Sequence, residues 1–262
     1  IGYQALRVQN SGGSNSHNSA VGAGAGTSIT TGNQNTIFGS AAADALTDAD
    51  FNVAMGYNAL SSDTLGSKST ALGTDTLATQ NFTTATDSFN TAVGYQAGTA
   101  VTTGVNNTLI GGLAGDALQD ADHNIAIGFN ALTSDTLGSR AVAIGQGALE
   151  TQNFTTATDN YNVGVGFHAG TSITTGKESI FIGGLAGDAY TSGSFNVGMG
   201  YIALTSDTLG QYNTALGYAA LATQNFTTST NSYNTAVGAN AGLVLTTGIQ
   251  NVLVGAGAGD AL

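Results

Sequence analysis

Residues Asn90 to Gly98 read N-T-A-V-G-Y-Q-A-G, and the whole chain repeats this unit. An Asn, a β-branched residue, a small residue and a large aliphatic lead into Gly94, and Ala97 sits three places beyond it. That marker glycine returns as Gly22, Gly39, Gly56, Gly73, Gly111, Gly128, Gly145, Gly166, Gly183, Gly200, Gly217, Gly238 and Gly255. Three steps of 17 residues alternate with one of 21, so a 72-residue superperiod of four units lies over the short one, and Gly2 is a further copy. A fixed short period marks a tandem array, so residues 1–262 are expected to form one elongated repeat domain.

Four positions before the marker stands Asn in eleven of fourteen copies: Asn18, Asn35, Asn52, Asn90, Asn107, Asn124, Asn162, Asn196, Asn213, Asn234 and Asn251. Three before it is Thr, Val, Ile or Ser, two before it is mostly Ala or Gly, and one before it is always large and apolar. This alternation of period 2 predicts a short strand. The positions three and one before the glycine share a face and are expected to point into the core, leaving the small residues outside. A stretch such as Thr99–Gly104 reads as a second short strand and a turn. Two strands and two turns per unit predict an all-β fold, a β-solenoid or parallel β-roll of 17-residue coils with a 21-residue coil at every fourth turn.

Four coil types recur. The first ends in T-T-G, as at Thr102–Gly104; the second carries a large residue two before the marker, such as Leu109. The third contains S-D-T-L-G, as at Ser62–Gly66. The fourth is the long coil, with T-Q-N-F-T-T at Thr79–Thr84, Thr151–Thr156 and Thr223–Thr228, whose extra residues should bulge from one edge. Coils stacked about 4.8 Å apart would make a rod of roughly 70 Å. Stacking places like over like, so the eleven Asn side chains are expected to form a structural ladder, amide to amide. The marker glycine suits a positive φ or a close backbone approach. The small Ala/Gly face leaves room for another chain, from which a homo-oligomer is expected, a trimer foremost.

N-T-A-V-G-Y-Q-A at Asn90–Ala97, N-T-A-L-G-Y-A-A at Asn213–Ala220 and N-I-A-I-G-F-N-A at Asn124–Ala131 resemble the head repeats of YadA-type trimeric autotransporter adhesins. They resemble still more the repeats of phage-type tail-fibre proteins. The resemblance spans essentially the whole chain and implies a trimeric parallel β-roll serving as a fibre shaft or adhesive head, outside the cell or on a virion surface. The chain departs from the adhesin pattern in its longer coils. It begins and ends inside a repeat, so it is expected to be a window of a longer fibre protein.

Composition narrows the function classes. With four Lys and Arg against sixteen Asp and Glu, the chain lacks the basic charge that nucleic acid or an anionic membrane demands. It has no Cys for a disulfide or thiolate site, and no apolar run long enough for membrane insertion as a helix. Recurrent acids (Asp44, Asp116, Asp188 and Asp260; Asp63, Asp135 and Asp207; Asp87 and Asp159) read as turn formers and solubilising edge charges rather than calcium ligands. His17, His123 and His168 occupy inequivalent places, so no shared metal or catalytic site is expected, nor any cofactor. The sequons at Asn81, Asn153 and Asn225, once per superperiod, are candidate glycosylation sites. Phe82, Phe154 and Phe226 beside them are expected to pin the bulge to the body. The expected function is a structural, non-catalytic fibre that presents a receptor-binding tip. The alternative is a module that binds a host or cell-surface glycan through the repeating edge loops.

Overall fold

The computed structural model describes residues 1–10, 12 and 15–260. Among these residues every regular element is a β-strand, and the fold is a parallel β-solenoid of about 14 turns. Two compact units are distinguished, Ile1–Ala126 and Ile127–Leu262.

In the first unit, strands Ser19–Val21, Thr36–Phe38, Val53–Met55, Thr70–Leu72, Thr91–Val93 and Thr108–Ile110 pair in chain order, all parallel. Register follows the marker: Thr91 pairs with Thr108, Ala92 with Leu109 and Val93 with Ile110. Across the long coil Thr70 still pairs with Thr91, so the four extra residues are absorbed outside this sheet. The second unit repeats the arrangement from Val142–Ile144 through Val163–Val165, Ile180–Ile182, Val197–Met199, Thr214–Leu216 and Thr235–Val237 to Val252–Val254.

The second strand expected in every coil does not form. Thr99–Gly104 is turn and bend. After the marker the chain reverses through successive tight turns, with Gln96 and Gly98 both left-handed (φ 55° and 59°), because so short a coil has to double back at once. Among the described residues, two-residue strands appear only where the third coil type meets the fourth, as Gly66–Ser67 with Thr86–Asp87 and twice more in the second unit.

The strand's two faces are also reversed from expectation. The small residue two before the marker is the buried one: Ala54, Ala71 and Ala92 are fully enclosed, whereas Phe38, Leu72 and Leu216 next to the marker face out. The interior of one coil is narrow. It is filled from the opposite wall by the Ala three after the marker, by Leu60, Leu77, Leu132, Leu149, Leu204 and Leu221 four after it, and by Ile29, Leu46, Val101, Leu118 and Ile173 seven after it. That leaves room for little more than a methyl group on the strand.

Where the strand does carry a large inward residue, the opposite wall shrinks. Leu109 is matched by Gly98 and Gly115, where a Cβ would lie 2.6 and 2.8 Å from its methyls. Phe181 is matched by Gly187, whose Cβ would lie 2.6 Å from Phe181 Cζ, and by Gly198 in place of Ala on the adjoining strand. Close packing at constant volume is the rule here, as in other cores.

Candidate functional site

The repeated Asn column is buried along most of its length; Asn18 and Asn251 are half-buried. Its bonding differs from simple amide stacking. Along most of the column Oδ1 accepts the backbone N–H of the equivalent residue one coil on, as in Asn52 N to Asn35 Oδ1 and Asn107 N to Asn90 Oδ1, both 2.9 Å. In most of the column Nδ2 donates to a carbonyl fourteen residues on, as Asn35 does to Ala49 O and Asn107 to Ala121 O, both at 2.7 Å. The same stitch recurs at Asn18, Asn52, Asn90, Asn162, Asn196 and Asn234. A direct amide-to-amide bond supplements it at Asn35 and takes its place at Asn213 and Asn251, and Asn124 donates its backbone N–H to Asn107 Oδ1. An Asn therefore satisfies both a strand N–H and a turn carbonyl that a 17-residue coil would otherwise bury unpaired.

Asp63, Asp135 and Asp207 are not edge charges. They stand seven residues after their markers, in the inward place that Ile or Leu fills elsewhere, and are fully buried. Asp63 Oδ1 accepts the backbone N–H groups of Gly66 at 3.0 Å and Phe82 at 3.1 Å, and Oδ2 accepts Gln80 Nε2 at 2.6 Å. Gln80 Oε1 in turn accepts Asn90 Nδ2 at 2.9 Å, so the carboxylate is wired into the Asn column. Asp135–Gln152–Asn162 and Asp207–Gln224–Asn234 repeat this node, and at the third copy Tyr190 adds its hydroxyl to Asp207 Oδ2 at 2.9 Å. The legible clue was Asp and Gln at one position of successive coils, as in S-D-T-L-G and T-Q-N-F-T.

Burial raises the Asp63 and Asp135 carboxyls above the ordinary 3.8, although the hydrogen bonds from Gln80 or Gln152 and from backbone N–H groups oppose it. A raised folded-state value means the folded chain holds these protons more tightly than the unfolded chain. Their contribution to stability is thus fully present below about pH 3.8 and is lost as pH rises through the folded-state values. The melting temperature should rise on acidification across that window. The rise should shrink in an Asp63→Leu/Asp135→Leu variant, and thermal melts at a series of pH values check this.

The edge loops lie where the sequence puts them. Phe82, Phe154 and Phe226 are packed inside, and Thr83–Ala85 and its equivalents at 155–157 and 227–229 are exposed. Asn81 and Asn225 are exposed and Asn153 half-buried; each Oδ1 takes a hydroxyl bond from the coil before, from Thr64, Thr208 and Thr136.

The outward face of the strands is an exposed apolar surface. It carries Phe38, Met55, Leu72 and Ile110 in the first unit and Ile144 and Leu216 in the second, all exposed. Where the third and fourth coil types meet, its border five residues before the marker is aromatic or cationic. Lys68 lies over Phe89 at 5.1 Å and bonds Asp87 at 2.6 Å, and Arg140 lies over Tyr161 at 6.0 Å and pairs with Asp159 at 3.0 Å. At the third copy Tyr212 stacks between Phe195 and Tyr233, with centroids 4.8 and 5.0 Å away. There Asn231 replaces the acid as Tyr212 replaces the cation.

No pocket opens and no group of three or more His, Asp or Glu gathers among the described residues. No family model, curated protein or solved structure matches the chain.

Proposed function

We propose that this chain is a structural, non-catalytic segment of an extracellular or virion-surface fibre, assembled from copies of itself, with three about a common axis. The observation that carries this is the exposed apolar strand face. Monomeric proteins rarely leave apolar columns of this extent open to water, and such patches mark association surfaces. The surface offered to other copies is the large-residue face. The small Ala/Gly face lies inside the coil and is not available.

A continuous backbone ladder supplies stiffness, and each coil is stabilised by its neighbours, so extension by repetition costs no new design. The exposed sequons at Asn81 and Asn225, with Asn153, would carry glycans away from the apolar face. The alternative, glycan recognition by the edge loops, is weakened because their Phe side chains are enclosed.

Light scattering on the purified chain tests the proposal. A mass of three times 25.9 kDa is expected, falling to 25.9 kDa when Leu72→Asp and Ile144→Asp are combined, with the β circular dichroism retained. A monomeric parent chain at micromolar concentration would refute self-assembly.

A further inference from the structure

Against a background that repeats every 72 residues, one cluster in the second unit does not repeat. Glu150 stands where the neighbouring superperiods have Ala78 and Ala222, and His168 where they have Gln96 and Asn240. Gly147 stands where they have Asp75 and Ala219. A Cβ on Gly147 would lie 2.7 Å from His168 Cε1 and Nδ1 and 2.9 Å from Glu150 Oε2, so the imidazole and the carboxylate occupy the space its missing side chain leaves. Three departures from the repeat thus meet at one spot.

Around it the side chains are linked loosely. Asn130 Nδ2 donates to Glu150 Oε1 at 3.4 Å, Thr171 Oγ1 to Glu150 Oε2 at 3.4 Å, and His168 Nδ1 lies 3.2 Å from Thr171 Oγ1 and 3.7 Å from Glu150 Oε2. Asn130 Oδ1 is buried with no hydrogen-bond partner among the described residues. The His168 and Glu150 side chains remain 28% and 29% exposed, within reach of a ligand. On either side stand Phe129 and Phe167, each about half exposed, with the exposed Gln146 on the coil between them. Phe167 holds the imidazole edge-on at 4.2 Å and 82°. The two rings are two coils apart, about 9.6 Å at the usual strand spacing.

We infer that this cluster binds a neutral saccharide. A sugar ring offers an apolar C–H face, which an open aromatic ring receives, and a rim of hydroxyls that both donate and accept. A carboxylate, an imidazole, two amides and a hydroxyl between two such rings supply the few convergent polar groups that orient a ligand on an apolar platform. Successive sugars of an extended chain can meet the two rings in turn. One carboxylate, with no Lys or Arg in the cluster, disfavours acidic sugars. The site differs from the edge loops, and the inference does not rest on the fibre proposal: a monomer that bound sugar would sustain it.

The test is titration of the full chain with cellohexaose, chitohexaose and mannohexaose, and with oligosialic acid as the acidic probe, followed by calorimetry and saturation-transfer NMR. At least one neutral hexasaccharide should bind, and Phe167→Ala and His168→Ala should each weaken it about tenfold or more. Gly147→Ala is the second route. Ala219 already occupies the equivalent place at φ 53°, so the backbone tolerates it, while its methyl displaces the imidazole. Tyr57→Ala, in the matching column of the first unit, should bind as the parent does. Absence of saturation by every neutral probe up to about 10 mM would overturn the inference. So would equal losses in the Tyr57 and Phe167 variants, preference for oligosialic acid, or a Phe167 variant whose only change is its oligomeric mass.

Discussion

Gly56→Ala should destabilise the chain by about 4 kcal/mol, the largest effect expected from a single added methyl group. Two costs combine. Gly56 sits at φ 145°, where an L side chain is strained by about 1–3 kcal/mol. Its Cβ would also meet the next marker, 2.5 Å from the carbonyl carbon of Gly73 and closer still to the oxygen. Backbone cannot rotate aside as a side chain can, so the two coils have to part, breaking the ladder locally and costing about 1–3 kcal/mol more. Gly24→Ala separates the terms. Gly24 is at φ 74°, but its nearest neighbour is a hydroxyl 3.6 Å away, so only the left-handed strain of about 1–2 kcal/mol should appear. Urea midpoints of the two variants measure the difference, and equal midpoints would show that the marker glycines are kept for φ alone.

Gln152→Leu should cost about 3 kcal/mol at neutral pH, because it leaves the buried Asp135 carboxylate without its Oδ2 donor and takes from Asn162 Nδ2 one of its two acceptors, leaving only Gly176 O. The Asp135→Leu/Gln152→Leu pair should be far less damaging than the sum of its single changes. Leu118 shows that leucine fits this inward place one coil earlier, and removing both partners leaves no unpaired charge. The residual cost is the Gly138 and Phe154 N–H groups, which lose Asp135 Oδ1. A coupling of about 2 kcal/mol in a double-mutant cycle is expected. Strict additivity would mean that the Asp–Gln bond contributes nothing of its own. Buried polar pairs are poor sources of stability but good sources of register. One node per superperiod resists a slip of one coil, since it would set a carboxylate against Leu or Ile.

Much of this architecture is legible along the chain. Marker spacing determined the coil count, the parallel register and the place of the long coil, because a covalent period of 17 residues and a backbone ladder allow one way to stack. The Asn column and the buried Phe of the N-F-T loops were legible for the same reason: identical residues one coil apart must lie one above another. Sidedness was decided only by the tertiary structure. A period of 2 says which residues share a face, as Thr91 and Val93 do, but not which face is inside. That depended on Leu77, Ala97 and Val101 arriving from the far wall and filling the interior first, so that Ala92 turned in and Val93 out. Asp63 moved from edge to core by the same logic, and the His168 cluster exists only because three coils bring Asn130, Glu150 and Thr171 to one place from positions that no single repeat contains.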